Sequence, residues 1–331
     1  MPTATTKNLP KLNRDTFQEN FESIVANMGK VIKGKDDVLR MVLVAFLAEG
    51  HVLLEDLPGT GKTMLARSLA ATLDLKENRI QCTPDLLPSD VSGSPVLDMT
   101  THTFEFRQGP VFANVLLVDE INRATPKTQS ALLEAMQEKN VTVDGVTYAL
   151  PKPFVMIATQ NPIELAGTFP LPEAQLDRFL FKLSMGYPDR MAELDVVHSN
   201  AMSQSIVGLE SACEPEMLDA MIAWGKGVQI SEAVELYIID LVQATRTDSS
   251  LQMGASSRAS IGIHRCARVL AASNGREDVY PDDIKKVIYP SLSHRVILTP
   301  DATLRDETVT KVIERIIGRI KPPVGAEVAA A

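Results

Sequence analysis

Apolar side chains follow two different rhythms along this chain. In the first part, short aliphatic runs bounded by turn residues alternate with stretches of helical period, and residues 51–55, 79–82, 114–119, 154–159 and 179–184 read as strands. The run at 114–119 is aliphatic on both faces until it ends in acid, as a parallel strand covered by helices on both sides should be. Helices are expected at 15–28, at 64–73 with Leu65, Leu69 and Leu73 on one face, and from residue 36, where Val38, Leu39, Val42, Leu43, Phe46 and Leu47 share a stripe. Another is expected at 126–138, with proline in the first turn, where its missing N–H costs nothing. Strands alternating with helices predict an α/β fold, a parallel sheet wound by right-handed crossovers and covered on both faces.

Two stretches break that alternation. Residues 84–109 are rich in Pro, Ser, Asp and Gly around two short alternating segments, and read as a hairpin inserted between core elements. Residues 140–151 carry Asp144-Gly145 between VTV and VTYAL, the strongest short hairpin signal in the chain. Past Tyr187-Pro188 only helical patterns recur, including the stripe Val234, Tyr237, Ile238, Leu241, Val242 and Thr245. The expected organisation is a leader and helix over 1–30 and an α/β core over 31–187 with hairpin insertions near 93–108 and 140–151. An all-helical domain over 188–320 and a flexible tail over 321–331 complete it.

Length and charge narrow the function. A chain of 331 residues is long enough for two domains. The net charge of −9 and the lack of a long Lys/Arg block argue against a non-specific grip on nucleic acid or an anionic membrane. The longest apolar run, 38–48, is interrupted by Arg40 and too short to span a bilayer, and the first residues lack an apolar core, so a cytoplasmic protein is expected. The three cysteines lie far apart without CxxC spacing, and the five histidines form no pair at metal-ligand spacing, so buried neutral thiols are expected.

The chemistry concentrates in HVLLEDLPGTGKT, residues 51–63. A strand, a Gly/Pro turn and a helix start follow one another there, so backbone N–H groups and the helix dipole can face a triphosphate. Lys62 would supply a point charge to the β and γ phosphates, and the Thr63 hydroxyl would ligate Mg²⁺. The pattern wants glycine at its first position and this chain has Asp56. Asp119 and Glu120 close the 114–119 strand, at the same sheet edge as the loop, where Asp119 suits the Mg²⁺ water shell and Glu120 suits activation of a water for in-line attack. Asn161, in ATQNP, follows the next buried strand and would reach that edge as a neutral hydrogen-bonding group.

LEDLPGTGKT, LLVDEINRATPKTQSALLEAMQE, VTVDG, ATQNPIELAGTFPLPEAQLDRF and GASSRA occur here in that order. Over roughly residues 30–300 the chain thereby resembles the AAA+ ATPases, and within them the MoxR group. The resemblance implies a P-loop three-layer αβα core followed by a helical lid. It implies ATP and Mg²⁺ as ligands, with Pro58, Gly59, Thr60, Gly61, Lys62, Thr63 and Met64 at the Walker A loop and Asp119 and Glu120 as the Walker B pair. Asn161 corresponds to sensor 1, Arg178 in LDRF to the arginine finger that reaches a neighbouring subunit's γ phosphate, and Arg258 to sensor 2 on the lid; Val31 and Ile32 sit where the family packs adenine. Charge spread over three equatorial oxygens is what a planar guanidinium meets two at a time. The resemblance further implies a homo-oligomeric ring, expected as a hexamer, that remodels or matures client proteins, often with a partner bearing a von Willebrand factor A domain. A nucleic-acid motor or loader is the alternative, disfavoured by the acidic balance.

Overall fold

The computed structural model describes residues 10–56, 59–162, 167–201 and 209–323. Helices α1 (Arg14–Gly29) and α2 (Asp36–Leu47) precede β1 (Val52–Glu55), α3 (Lys62–Thr72) and β2 (Glu77–Gln81). A short α4 (Pro88–Ser92) leads into the hairpin β3 (Gly93–Asp98) and β4 (Thr103–Gln108), followed by β5 (Val115–Asp119) and α5 (Pro126–Glu138). The second hairpin, β6 (Asn140–Val143) and β7 (Val146–Ala149), runs into β8 (Val155–Gln160), α6 (Glu173–Leu176) and β9 (Phe181–Leu183). The rest comprises α7 (Arg190–Ala201), α8 (Pro215–Gly227), α9 (Glu232–Thr247), β10 (Leu251–Met253), α10 (Ser257–Ser273), α11 (Pro281–Leu292), β11 (Ile297–Leu298), α12 (Pro300–Leu304) and α13 (Val309–Arg319).

Strands β2-β5-β8-β1-β9 form one parallel sheet. Its interior strands β5, β8 and β1 are apolar on both faces because alternate side chains enter different layers. Val115 and Leu117 of β5 join the core formed with α1, α2 and α3, while Leu116 and Val118 join the one built around Phe112, Leu132 and Leu133. Val155 and Ile157 of β8 are divided from Met156 and Ala158 in the same way. The register pairs Gln81 with Asp119, Val118 with Ala158 and Glu55 with Gln160, so the strands end at a common carboxyl edge.

Most expected elements occur within a few residues of their expected ends, and three features differ. The helix near the N-terminus is no appendage: Phe17, Phe21 and Ile24 are fully buried, and α1 packs on α2, α3 and α10. Residues 1–9 of the expected leader and the tail from 324 lie outside the described residues. The C-terminal region is helical but also holds the antiparallel ribbon β10-β11, whose three- and two-residue strands are too short to show a period. Helices α4 and α6 escaped the sequence reading for the same reason. In the 140–149 hairpin, Asp144 and Gly145 have φ of 49° and 80°, the left-handed pair that an Asp-Gly turn supplies.

All three cysteines are buried, and burial pushes the thiols of Cys82 and Cys266 up to about 12 and that of Cys213 to about 11. Two histidines anchor the amino end of the sheet, His51 between β1 and β8 and His294 from the turn after α11 to the segment before β9. His51 Nδ1 accepts the Met156 N–H at 3.0 Å, and burial holds its imidazole at about 3, far below the usual 6.5, with Lys139 adding to the effect. His294 Nε2 lies 3.0 Å from the Phe179 carbonyl and is likewise held neutral by burial. The unfolded chain takes up a proton on each ring below 6.5 that the folded chain refuses down to its lowered value. His51 therefore makes stability fall as pH drops through 6.5 towards 3, by about 1.4 kcal/mol per pH unit, and His294 acts in the same direction. Replacing His51 by Asn, which keeps an acceptor without titrating, should remove one such contribution from the slope between pH 6 and 4, read by urea unfolding; an unchanged slope would contradict the buried neutral His51.

Candidate functional site

The turn between β1 and α3 follows from its glycines. Gly59 and Gly61 have φ of 83° and 89°, a left-handed backbone that side chains disfavour, and Gly61 is the residue from which α3 starts. Thr60 between them is buried. Leu57 and Pro58 lie outside the described residues. Lys62 Nζ donates to the Asp56 carbonyl at 2.8 Å, so the lysine arches back over its own loop.

Asp56 occupies the position where the motif expects glycine, and the structure gives a reason for it. Its buried carboxylate accepts hydrogen bonds from Ser184 Oγ at 2.8 Å and from the N–H groups of Met185 and Gly186 at 2.5 and 3.0 Å. The loop is thereby fastened to the chain leaving β9. Sequence reading found the anomaly; the partners, almost 130 positions away as Ser184 and its neighbours are, were invisible to it.

A cleft of about 380 Å³ opens at the carboxyl edge between Gly59, Gly61, Lys62, Thr63 and Met64 on one side and Asp119, Glu120 and Asn161 on the other. Lysine, hydroxyl, two acids and amide thus converge, because β1, β5 and β8 lie side by side in the sheet and end together. Glu120 sits in the left-handed region at φ 54°, a conformation that costs a non-glycine residue free energy and turns the chain sharply after β5. Its N–H donates to Thr159 Oγ1 at 2.8 Å, and that hydroxyl lies 3.3 Å from Asp119 Oδ1.

Three residues of this neighbourhood, Arg79, Gln81 and Thr159, were not singled out from the sequence. Arg79 Nε donates to Asp119 Oδ2 at 2.7 Å and its Nη2 to Gln81 Oε1 at 3.0 Å; Gln81 Nε2 donates onward to Glu120 Oε2 at 3.2 Å. Arg123 Nη1 lies 3.1 Å from the same Glu120 oxygen, and Thr159 bridges the acids from β8. The available signal was the i, i+2 placement of Arg79 and Gln81 at the end of a strand beside β5.

Other expected residues fall elsewhere. Ile32 is buried in the main core and Val31 packs against that core; neither lines the cleft. Their turn abuts the start of α7, where a Cβ on Gly34 would stand 2.8 Å from Ala192 Cβ, and Lys35 Nζ donates to the Tyr187 carbonyl at 2.7 Å. Arg178 and Arg258 are brought together, but at the amino edge of the sheet. They line a second cleft of about 290 Å³ with Gly50 and His51, which precede β1, Leu180, which precedes β9, and Arg265 of α10. The structure therefore does not bring Arg258 to the glycine loop of its own chain. Arg178 makes no side-chain ion pair among the described residues; its Nη1 donates to the Leu133 carbonyl at 3.2 Å. Arg258 lies 3.6 Å from Asp177.

The donor set suits Mg²⁺. The Thr63 hydroxyl and the Asp119 carboxylate are hard oxygen donors that line the same cleft, beside the turn whose amides suit phosphate oxygens.

Comparison with known proteins gives the family and agrees with the fold. Residues 51–181 match the family described as ATPase family associated with various cellular activities (AAA), and residues 243–316 match the AAA lid domain. The chain is 38% identical to the chaperone MoxR1 of Mycobacterium tuberculosis, over 92% of this chain and 82% of that one. It is 30% identical to the protein MoxR of Paracoccus denitrificans, over 91% and 95%. The chain belongs to the MoxR group of AAA+ ATPases. This MoxR-group chain is also 46% identical to YeaC of Bacillus subtilis, over 93% of its own length and 98% of YeaC. A crystal structure from Cytophaga hutchinsonii superposes with a TM-score of 0.88 at 39% identity, covering 94% and 97% of the two chains. The AAA+ core with its helical C-terminal lid is thus common to this chain and its relatives, and membership of an ATPase family implies nucleotide binding and ATP hydrolysis. No helix among the described residues is long and apolar enough to cross a membrane.

The Asp56 latch makes an unusual prediction for a MoxR-group protein. Asp56→Gly restores the glycine that the loop motif prescribes, yet it should destabilise the fold by about 2–4 kcal/mol, because one buried amide, one part-buried amide and a hydroxyl lose a charged acceptor. Urea unfolding measures this, and a variant as stable as the parent would show that the latch contributes nothing.

Proposed function

We propose that this chain hydrolyses ATP at the junction between adjacent subunits of a ring. The observation that carries the reading is the placement of two complementary clefts on opposite edges of one sheet: glycine loop, lysine and acids at the carboxyl edge, Arg178 and Arg258 at the amino edge. A surface whose complement lies on the opposite face of the same molecule associates head to tail, and a head-to-tail contact closes into a ring when the rotation permits, here expected as a hexamer.

In that arrangement Gly59, Thr60, Gly61 and Met64 form the bed of the triphosphate, and Lys62 swings from the Asp56 carbonyl to the β and γ phosphates. Thr63 and Asp119 would hold Mg²⁺, which would supply charge neutralisation at the phosphates. Glu120, freed from Gln81 and Arg123, takes the proton of the attacking water, and Asn161 orients that water or the γ phosphate. Arg178 and Arg258 of the adjacent subunit stabilise the equatorial oxygens, which makes turnover depend on assembly. The turn that follows Val31 and Ile32 stands beside the start of α7, where adenine would be packed. MoxR1 is named a chaperone, and the same work is proposed here: ATP turnover drives remodelling or maturation of a client protein, with a von Willebrand factor A domain protein as the expected adaptor.

Lys62→Ala should abolish nucleotide binding by calorimetry, whereas Glu120→Gln should bind ATP with near-parental affinity and lower turnover by about 10²- to 10⁴-fold. Parental turnover in Glu120→Gln would remove it from water activation. Arg178→Ala should be nearly inactive alone, and adding Lys62→Ala chains, which carry intact arginines, should restore phosphate release. Absence of recovery at every mixing ratio would refute the intersubunit assignment.

A further inference from the structure

The segment entering β9 carries Arg178, and it is gripped from the C-terminal helical region by one buried side chain. Arg295, in the turn after α11, is 4% exposed. Its Nε donates to Asp177 Oδ1 at 2.9 Å, its Nη2 to the Asp177 carbonyl at 3.0 Å, and its Nη1 to the Leu180 carbonyl at 3.2 Å. Further bonds reach the carbonyls of Phe179 and Ser291. The Asp177 carboxylate is shared with the start of α10: Ser256 Oγ lies 3.0 and 2.9 Å from its two oxygens, and Arg258 Nη1 lies 3.6 Å from Oδ2. One acid thus joins the residue before Arg178 to Ser256, Arg258 and Arg295.

We propose that Asp177 is a positioning residue for catalysis in the adjacent subunit: it holds Arg258 next to Arg178, so that both guanidinium groups are presented together to one triphosphate. This rests on the reading that the two arginines act across a subunit junction. Arginine side chains lose much rotamer freedom when they engage a phosphate, and an acid that already confines one of them removes part of that loss before the nucleotide is met. The carboxylate also ties the pair to the lid through Arg295. A lid displacement therefore carries Arg258 and the 177–180 segment as one unit, and the two arginines keep their spacing.

The test uses the full-length protein in steady-state phosphate release. Asp177→Asn keeps the shape and an acceptor for Ser256 but loses the charge that confines Arg258. It should bind ATP in its own cleft within about twofold of the parent, and its turnover should fall by about 10- to 100-fold, as small misplacements of catalytic groups do. Adding Lys62→Ala chains, whose Asp177, Arg178 and Arg258 are intact, should restore turnover; adding Arg178→Ala chains should not. A lid merely weakened within its own chain would not be rescued by a neighbour. If Arg178→Ala is rescued by Lys62→Ala while Asp177→Asn has parental turnover, or is impaired but not rescued, the positioning role is overturned. If Arg178→Ala itself is never rescued, the intersubunit reading has failed instead. Fluorescence of Trp224, the single tryptophan, checks folding. Should Asp177→Asn not fold, Asp177→Glu keeps the charge but moves it by one methylene; it should lose at least about threefold in turnover and be rescued likewise, and parental turnover or absence of rescue counts against the proposal equally.

Discussion

The burial of a parallel sheet on both faces is the constraint on which everything else depends. Because each interior strand must hide two rows of aliphatic side chains, helices have to cover it above and below, and polar residues are excluded until a strand ends. Chemistry can then accumulate only at the two edges. At the carboxyl edge, neighbouring registers deliver Asp119 and Asn161 within one cleft of the glycine loop; at the amino edge, Arg178 and Arg258 flank the residues that precede β1 and β9. The chain therefore carries an acidic cleft at one end of the sheet and an arginine-lined cleft at the other, which is the physical ground for the proposal that turnover is tied to association.

The resting contacts around the acids fit that dependence. Asp119 is paired with Arg79, and Glu120 is engaged by Gln81 and Arg123. Each contact is a partly exposed ion pair or hydrogen bond, and such contacts are individually weak enough to be exchanged for nucleotide. The buried contacts have another character: Asp56 fastens the phosphate loop to the exit of β9, and Arg295 fastens the entry of the same strand to the lid. Strand β9 is therefore held at both ends, by the loop of the proposed nucleotide cleft and by the region that presents the arginines.

Several features were legible without coordinates. The aliphatic run ending in Asp119-Glu120 announces a buried parallel strand, the Asp144-Gly145 pair announces its hairpin, and Gly61-Lys62-Thr63 after a strand announces a glycine turn at a helix start. Others were not. Arg79 and Gln81 look like ordinary polar residues of an edge strand, and only the pairing of β2 with β5 puts them on the acids. Arg258 has a motif position yet no cue about which edge it occupies, because that depends on how the lid packs.

What the chain determines by itself is local: the period of each element, the left-handed glycines of the loop, the order of strands and helices, and the residue types a triphosphate and a hard metal ion require. Such features follow from torsional preference and from apolar patterning within a dozen residues. The packed molecule alone decides which distant groups meet: Asp56 with Ser184 and Met185, His51 with Met156, and Asp177 with Arg258 and Arg295. Those meetings are set by strand order and by the seating of the lid on α1 and the sheet, which depend on summed burial over many residues rather than on any short stretch.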